Sequence, residues 1–202
     1  MPSTALNKKS LKQQVREQGH SARNSQEEKD SISQQIVGKF MELPEYAAAT
    51  TVMFYVDVRS EVRTRFALPA AIESEKRIVV PYCVDGELEL FLLEDMAELE
   101  IGMYKILEPR SELREISEKT IAPEDLDLVM VPGVAFDTQG GRTGHGNGYY
   151  DKLLQHARVD TPLIAIAFDC QIFPEIPVKK HDVFMDKVVT QSDIYVGRGR
   201  SQ

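Results

Sequence analysis

Long apolar runs constrain this chain more than any other feature. Leu126–Val131 carries apolar residues toward both faces of a strand, and Thr51–Val56 and Leu163–Phe168 are runs of the same kind. A strand wetted on one side alternates apolar with polar, whereas a strand covered on both sides reads as a nearly continuous apolar run. Strands of this type alternating with helices predict a three-layer α/β/α sandwich with a mostly parallel sheet. With 202 residues, the chain has the size for one domain over 1–202 that buries a sizeable core. In such folds ligands sit outside the carboxyl ends of the strands, so chemistry is expected in the residues that follow each run.

The remaining elements follow from local signals. A basic helix is predicted over 4–18, capped by Ser3 or Thr4 and ended by Gly19. Ser25-Gln26-Glu27-Glu28 has the spacing of a capping box opening a second helix to about Phe40, closed by Pro44. Val62–Ser74 reads as a helix in which Pro69 removes a backbone hydrogen bond, so a kink or a late start is expected. Arg77–Tyr82 is a strand, and Asp85-Gly86 is a hairpin turn leading to Leu88–Leu92. Gly102–Ser117, with Pro109, reads as a long surface loop; Tyr149–Ala157 as a helix; Lys187–Thr190 as a short final strand; and 197–202 as a mobile tail.

The run through Val131 continues into Pro132-Gly133-Val134-Ala135-Phe136-Asp137 and then a loop with five glycines between 140 and 148, ending at Tyr149-Tyr150-Asp151. Glycines let backbone N–H groups converge on an anion, and a helix start adds partial positive charge. Arg142 adds a full one. The loop is not a P-loop, because Asn147 and Gly148 stand where Lys and Ser/Thr are required, and its glycine spacing does not match a dinucleotide fingerprint. A phosphate site and a flexible turn are the two readings of the loop. Asp151, Asp182 and Asp186 are carboxylates of the kind that magnesium takes one or two of when it bridges phosphates; each is also an ordinary surface or capping residue. Glu61, just past the first strand, either accepts from a ligand's amino groups or simply begins a helix. His145 donates to phosphate or holds the turn. Tyr149 and Tyr150 stack on a flat heterocycle, or one packs in the core while the other is exposed. No serine triad and no zinc spacing is present.

A net charge of −8 argues against a nucleic-acid binder. Residues 1–23 nevertheless carry a net +4, with Lys8, Lys12 and Arg16 on one helical stripe that is either a solvated face or the seat of a small polyanion. Cys83 and Cys170 fit buried free thiols in a reducing compartment. With no apolar leader and no run long enough to span a bilayer, a cytoplasmic protein without membrane partners is expected, and we expect a monomer.

Val131-Pro132-Gly133-x-x-Phe136-Asp137 together with Arg142-x-Gly144-x-Gly146-x-Gly148-Tyr149-Tyr150-Asp151 resembles the signature of the 5-formyltetrahydrofolate cyclo-ligases, also called 5,10-methenyltetrahydrofolate synthetases. Lys8-Lys9-Ser10-Leu11-Lys12, Ser60-Glu61-Val62-x-Thr64, Val80-Pro81, Ala165-x-Ala167-Phe168 and His181-Asp182-x-x-x-Asp186 fit further blocks of that family. The resemblance implies a fold related to the sugar-phosphate isomerase and CoA-transferase group. It also implies conversion of 5-formyltetrahydrofolate to 5,10-methenyltetrahydrofolate with ATP as co-substrate and magnesium as cofactor. By position, it implies ATP contacts from Lys8, Lys9, Ser10, Leu11 and Lys12 and from Arg142, Thr143, Gly144, His145, Gly146, Asn147, Gly148, Tyr149 and Tyr150. It implies magnesium on Asp151 and Asp182, and folate contacts from Val56 and Glu61 and from His145 through Tyr149. Arg142, His145 and Tyr149 are the expected catalytic residues. Lys12 and His145 stand where the family commonly has arginine, which exchanges a bidentate fork for a point charge in one case and a titratable ring in the other. The alternatives are a non-catalytic folate- or nucleotide-binding module on the same fold, and an isomerase- or transferase-like enzyme with no ATP site.

Overall fold

The computed structural model describes residues 3–102, 106–177 and 182–200, with side chains from Leu11 onward. The central feature is a seven-stranded sheet. Its strands are β1 (Thr51–Met53), β2 (Arg77–Val84), β3 (Glu87–Leu93), β6 (Leu128–Val131), β9 (Leu163–Ile166), β11 (Lys187–Val189) and β12 (Ile194–Val196), in the order β12-β11-β9-β6-β1-β2-β3. The five inner strands are parallel, and the two edge strands, β3 and β12, run antiparallel. Among the described residues there are two smaller sheets: β4 (Leu99–Ile101) with β5 (Leu107–Pro109), and β7 (Ala135–Asp137) flanked by β8 (Arg142–Thr143) and β10 (Ile172–Phe173).

The continuous apolar runs are buried on both sides of this sheet. Val52, Ile78, Val80, Leu128, Met130, Ile164 and Ile166 face one core, together with Ile36, Val37 and Phe40 of α2 (Lys29–Met41), Tyr46 of α3 (Pro44–Ala48) and Leu68 and Ala71 of α4 (Leu68–Ile72). Met53, Val79, Val129, Val131, Leu163, Ala165 and Val188 face the other core, with Leu153 and Leu154 of α5 (Tyr149–His156). Two helix layers around one sheet give the three-layer arrangement. After β1 the chain moves outward to β2 and β3, then returns to place β6 on the opposite side of β1. The carboxyl ends of β1 and β6 therefore diverge, and this is the switch point where open α/β sheets form their ligand crevice. Among the described residues no helix is long and apolar enough to cross a membrane.

Several local expectations are corrected. Helix α1 spans Ser3–Ser25 and passes straight through Gly19. Gly19 marks a close approach rather than an end, because a Cβ there would lie 2.7 Å from the Val134 carbonyl oxygen. Ser25 is thus the last residue of α1, and the Ser25–Glu28 capping box does not form; Glu28 precedes α2 with a left-handed φ of 49° and no side-chain cap. Pro44 opens α3 instead of closing α2. Helix α4 is short and begins beside Pro69, in the first turn where proline is tolerated. The Gly102–Ser117 segment contributes β5, and β11 is followed by β12. Residues 197–200 are anchored: Gly197 and Gly199 donate to Asp186 and Met185 carbonyls, and Arg200 donates to the carbonyls of Ala157 and Thr161. Cys83 is exposed and Cys170 partly so, both as free thiols.

Candidate functional site

A cleft of about 510 Å³ opens at the β1/β6 switch point. Pro132 and Gly133, directly after β6, form one wall, and Glu61, after β1, forms another. The glycine loop from Arg142 to Gly148 and the first turns of α5 close a third side. Lys12 and Arg16 of α1 reach over the top, and Asp182 approaches from the segment before β11. The β7–β8 hairpin delivers Arg142 to the rim, and Gly146 and Gly148, with φ of 109° and 73°, turn the chain from that hairpin into α5. A side chain at either position would be strained.

The charges in the cleft are already paired. Arg142 Nη2 donates to Asp151 Oδ1 at 2.6 Å and Nη1 to the Pro132 carbonyl at 3.2 Å. Lys12 Nζ lies 2.5 Å from Asp182 Oδ2. Arg16 Nε donates to the Gly144 carbonyl at 2.8 Å, and its guanidinium packs beside Gly146. His145 Nε2 is 3.4 Å from Glu61 Oε1, and the His145 ring lies 5.0 Å from that of His20. Burial and then the nearby Arg23, His145, Arg16 and Arg59 hold the His20 ring below the usual histidine range. Burial and the Glu61 charge push the Tyr150 phenol well up, so it remains a neutral donor. Among the described residues, Arg142 Nε and Thr143 Oγ1 are buried without a hydrogen-bond partner. Unsatisfied buried donors are rare and call for an explanation.

The structure brings Lys12, Glu61, Arg142 through Tyr150, Asp151 and Asp182 to one cleft, although they span most of the sequence. Val56 does not line it, because its side chain belongs to the core beneath. Leu11 is 43% exposed and lies off the cleft, one residue around the helix from Lys12. The side chains of Lys8, Lys9 and Ser10, and the whole of His181, lie outside the described residues. Asp186 is structural: its Oδ2 accepts from the Leu163 amide at 2.7 Å, and it does not line the cleft. Tyr150 packs against both cores, and Tyr149 lines the cleft beside it. Sequence reasoning left Arg16, Lys152 and Gln155 outside the predicted site, yet all three line it. The stripe Lys8, Lys12, Arg16 was the available signal for the first of them. The i, i+4 pair Asp151 and Gln155 on α5 was the signal for the last.

Residues 6–191 match the profile of the 5-formyltetrahydrofolate cyclo-ligase family. The chain belongs to this family. A probable 5-formyltetrahydrofolate cyclo-ligase of Schizosaccharomyces pombe is 33% identical, covering 82% of this chain and 86% of that protein. The 5-formyltetrahydrofolate cyclo-ligase of Escherichia coli K12 is 29% identical, covering 84% and 93%. Among solved structures, the 5,10-methenyltetrahydrofolate synthetase of Aquifex aeolicus superposes with a TM-score of 0.80 at 31% identity, over 95% of this chain and 96% of that one. The fold of that synthetase is therefore shared along almost the full length of this chain.

Proposed function

We propose that this cyclo-ligase closes 5-formyltetrahydrofolate to 5,10-methenyltetrahydrofolate, with ATP as co-substrate, in the cleft between β1 and β6. The observation that carries the reading is the meeting of α1 cations, the glycine loop and two aspartates at the switch point. The orphaned Arg142 Nε and Thr143 Oγ1 support it, since both are donors that an anionic ligand would satisfy.

A formyl amide is a poor electrophile, so its oxygen must first become a leaving group. The formyl oxygen attacks the γ-phosphorus of ATP, the bond to the bridging oxygen breaks, and ADP departs. The folate N10 lone pair then attacks the formyl carbon. The carbon–oxygen bond breaks, inorganic phosphate carries the former formyl oxygen away, and the N10 proton passes to solvent. The protein contributes positioning and charge. Arg142, Lys12 and Arg16 hold phosphate oxygens, Glu61 orients the pterin, and Tyr149 and His145 border both ligands. Asp151 and Asp182 are hard oxygen donors, and the pair suits magnesium, which takes one or two carboxylates and fills its shell with phosphates and water. When bound, the ion would neutralise charge on the phosphates. In the structure the same two carboxylates pair with Arg142 and Lys12. ATP binding would exchange partners, with the cations turning to phosphate.

The test mixes the protein with 5-formyltetrahydrofolate and magnesium, with and without ATP, and follows methenyl absorbance. ATP-dependent product is expected. Folate or ATP binding without turnover would establish a binding module instead.

A further inference from the structure

Arg23 is the most deeply buried cation among the described side chains of α1, at 1% exposure, and lies outside the roles assigned above. Its guanidinium ties α1 to two segments of the switch point. Nε donates to Ser60 Oγ at 3.1 Å, Nη1 donates to the Gly133 carbonyl at 3.0 Å, and Nη1 lies 3.8 Å from Glu61 Oε1. Ser60 and Glu61 follow β1, and Gly133 follows β6. The Gly133 carbonyl also accepts from Gln171 Nε2 at 3.0 Å. Glu61 is itself nearly buried, and its other oxygen accepts from the Val58 amide at 3.1 Å.

We infer that Arg23 is the positioning residue of the folate half of the cleft: it holds the Glu61 carboxylate in its aim, and it fixes the spacing between the Glu61 and Gly133 walls. The physical reason is the cost of a lone buried carboxylate. With Arg23 present, Glu61 has a permanent cation, an amide and an imidazole about it. Without Arg23, the half-exposed His145 ring and one amide remain, and a buried carboxylate that has lost its cation turns toward solvent. That displaces the acceptor that orients the pterin. Arg16 and Lys12, by contrast, end on the glycine loop and Asp182, at the phosphate half. One helix therefore addresses both ligands through different cations, and among its described cations Arg23 is the one at the folate half. The inference rests on the proposed contact between Glu61 and folate.

The test is the split between the two Michaelis constants. Arg23→Ala should raise KM for 5-formyltetrahydrofolate by about tenfold or more, the equivalent of one charge-assisted hydrogen bond, while KM for ATP moves less than about twofold. Arg23→Lys, which keeps the charge and loses the fork, should recover part of the folate loss. Ser60→Ala removes one buried hydroxyl anchor of the guanidinium and no charge, which tests the same geometry where an Arg23 variant fails to fold; it should raise the folate KM in the same selective way, to a smaller degree. Gly19→Ala serves as comparison, because it displaces α1 as a body. If the Arg23 and Ser60 variants raise both constants in parallel, as a displaced helix would, or leave the folate KM unchanged, the positioning role is overturned. A wild-type protein that makes no methenyl product with ATP present would instead defeat the functional reading beneath it.

Discussion

Gly19 offers a prediction whose sign separates two explanations of one residue. In the middle of a solvent-exposed helix, Gly→Ala stabilises by about 1 kcal/mol through helix propensity. Gly38 in α2 is such a case, because a Cβ there meets nothing within 4 Å. At Gly19 the added Cβ would lie 2.7 Å from the Val134 carbonyl oxygen, 3.1 Å from Val134 Cγ1 and 3.2 Å from Ala135 Cβ. The nearest obstacle is backbone, held in place because the Val134 carbonyl also accepts from Gln171 Nε2 at 3.0 Å. Overpacking of this kind costs about 1–3 kcal/mol, and a fixed carbonyl belongs at the upper end of that range. Subtracting the propensity gain leaves a net loss of about 2 kcal/mol. For a chain of this length each kcal/mol moves Tm by about 2–4 °C. Gly19→Ala should therefore lower Tm by about 4–8 °C, while Gly38→Ala raises it by about 2–4 °C. Differential scanning fluorimetry on the two variants beside the wild type measures both. If Gly19→Ala stabilises as Gly38→Ala does, the close packing of α1 on the 133–135 segment is wrong, and so is the placement of its cations over the cleft.

Arg142→Gln removes the full charge from the glycine loop and the partner of Asp151; kcat/KM for ATP should fall by about 100-fold or more, the scale of losing one preorganised charge-stabilising donor, with secondary structure by circular dichroism unchanged. Saturating ATP with magnesium, at about 100 times its dissociation constant, should stabilise the protein by about 2.7 kcal/mol, read as a rise in Tm that a chelator reverses and that Asp151→Asn reduces. Asp57 is buried, and although burial alone would raise its carboxyl, the Arg65 and Thr64 amides and the Arg65 guanidinium hold it below the ordinary aspartate value. A depressed folded-state value means the stabilisation is complete above the unfolded value near 4 and is lost as pH falls through the lower, folded value. Asp57→Asn should therefore lower Tm by an amount that is constant between about pH 7 and 5 and shrinks below about pH 4; a difference that persists undiminished at the acid end would contradict the assignment.

The parallel strands were legible because burial on both faces writes itself into every position of a run, as at Leu163–Ile166. The Asp85-Gly86 turn was legible because its two residues supply the left-handed φ values, 49° and 82°, that a tight hairpin demands. The glycine loop was legible for the same local reason. The extent of α1 was not. A helix is usually read from apolar residues at helical spacing, but the docked face of α1 carries Lys12, Val15, Arg16, Gly19, His20 and Arg23. That face has the correct period and the wrong chemistry, so a reading based on apolarity stops at the first glycine. The partners that make it a docked face are carbonyls 128 and 110 residues away, Gly144 for Arg16 and Gly133 for Arg23. Nothing within the helix specifies them. The edge strand β12 and the β4–β5 pair escaped notice because three-residue strands owe their existence to a neighbour's register rather than to their own pattern.

The polarity of the α1 face has a single physical cause. A helix packed on the middle of the sheet would meet Val, Ile and Leu and would need an apolar stripe, as α2 does with Ile36, Val37 and Phe40. Helix α1 instead meets the ends of β1 and β6 and the glycine loop, where the sheet presents carbonyls, a carboxylate and an opening. Only donors can satisfy such a surface without burying unpaired acceptors. The cations of α1 are therefore both its means of attachment and the electrostatic lining of the cleft. Removing Lys12 or Arg16, the cations at the phosphate half, should weaken ATP binding and helix docking together, and adding phosphate ligands should bind the helix more firmly. Amide hydrogen exchange along α1, followed with and without ATP and magnesium, should show protection rising across Lys12–Arg23. If exchange there is unchanged while exchange in the glycine loop slows, the helix is a scaffold indifferent to the ligand, and the coupling argued from its charged face does not hold.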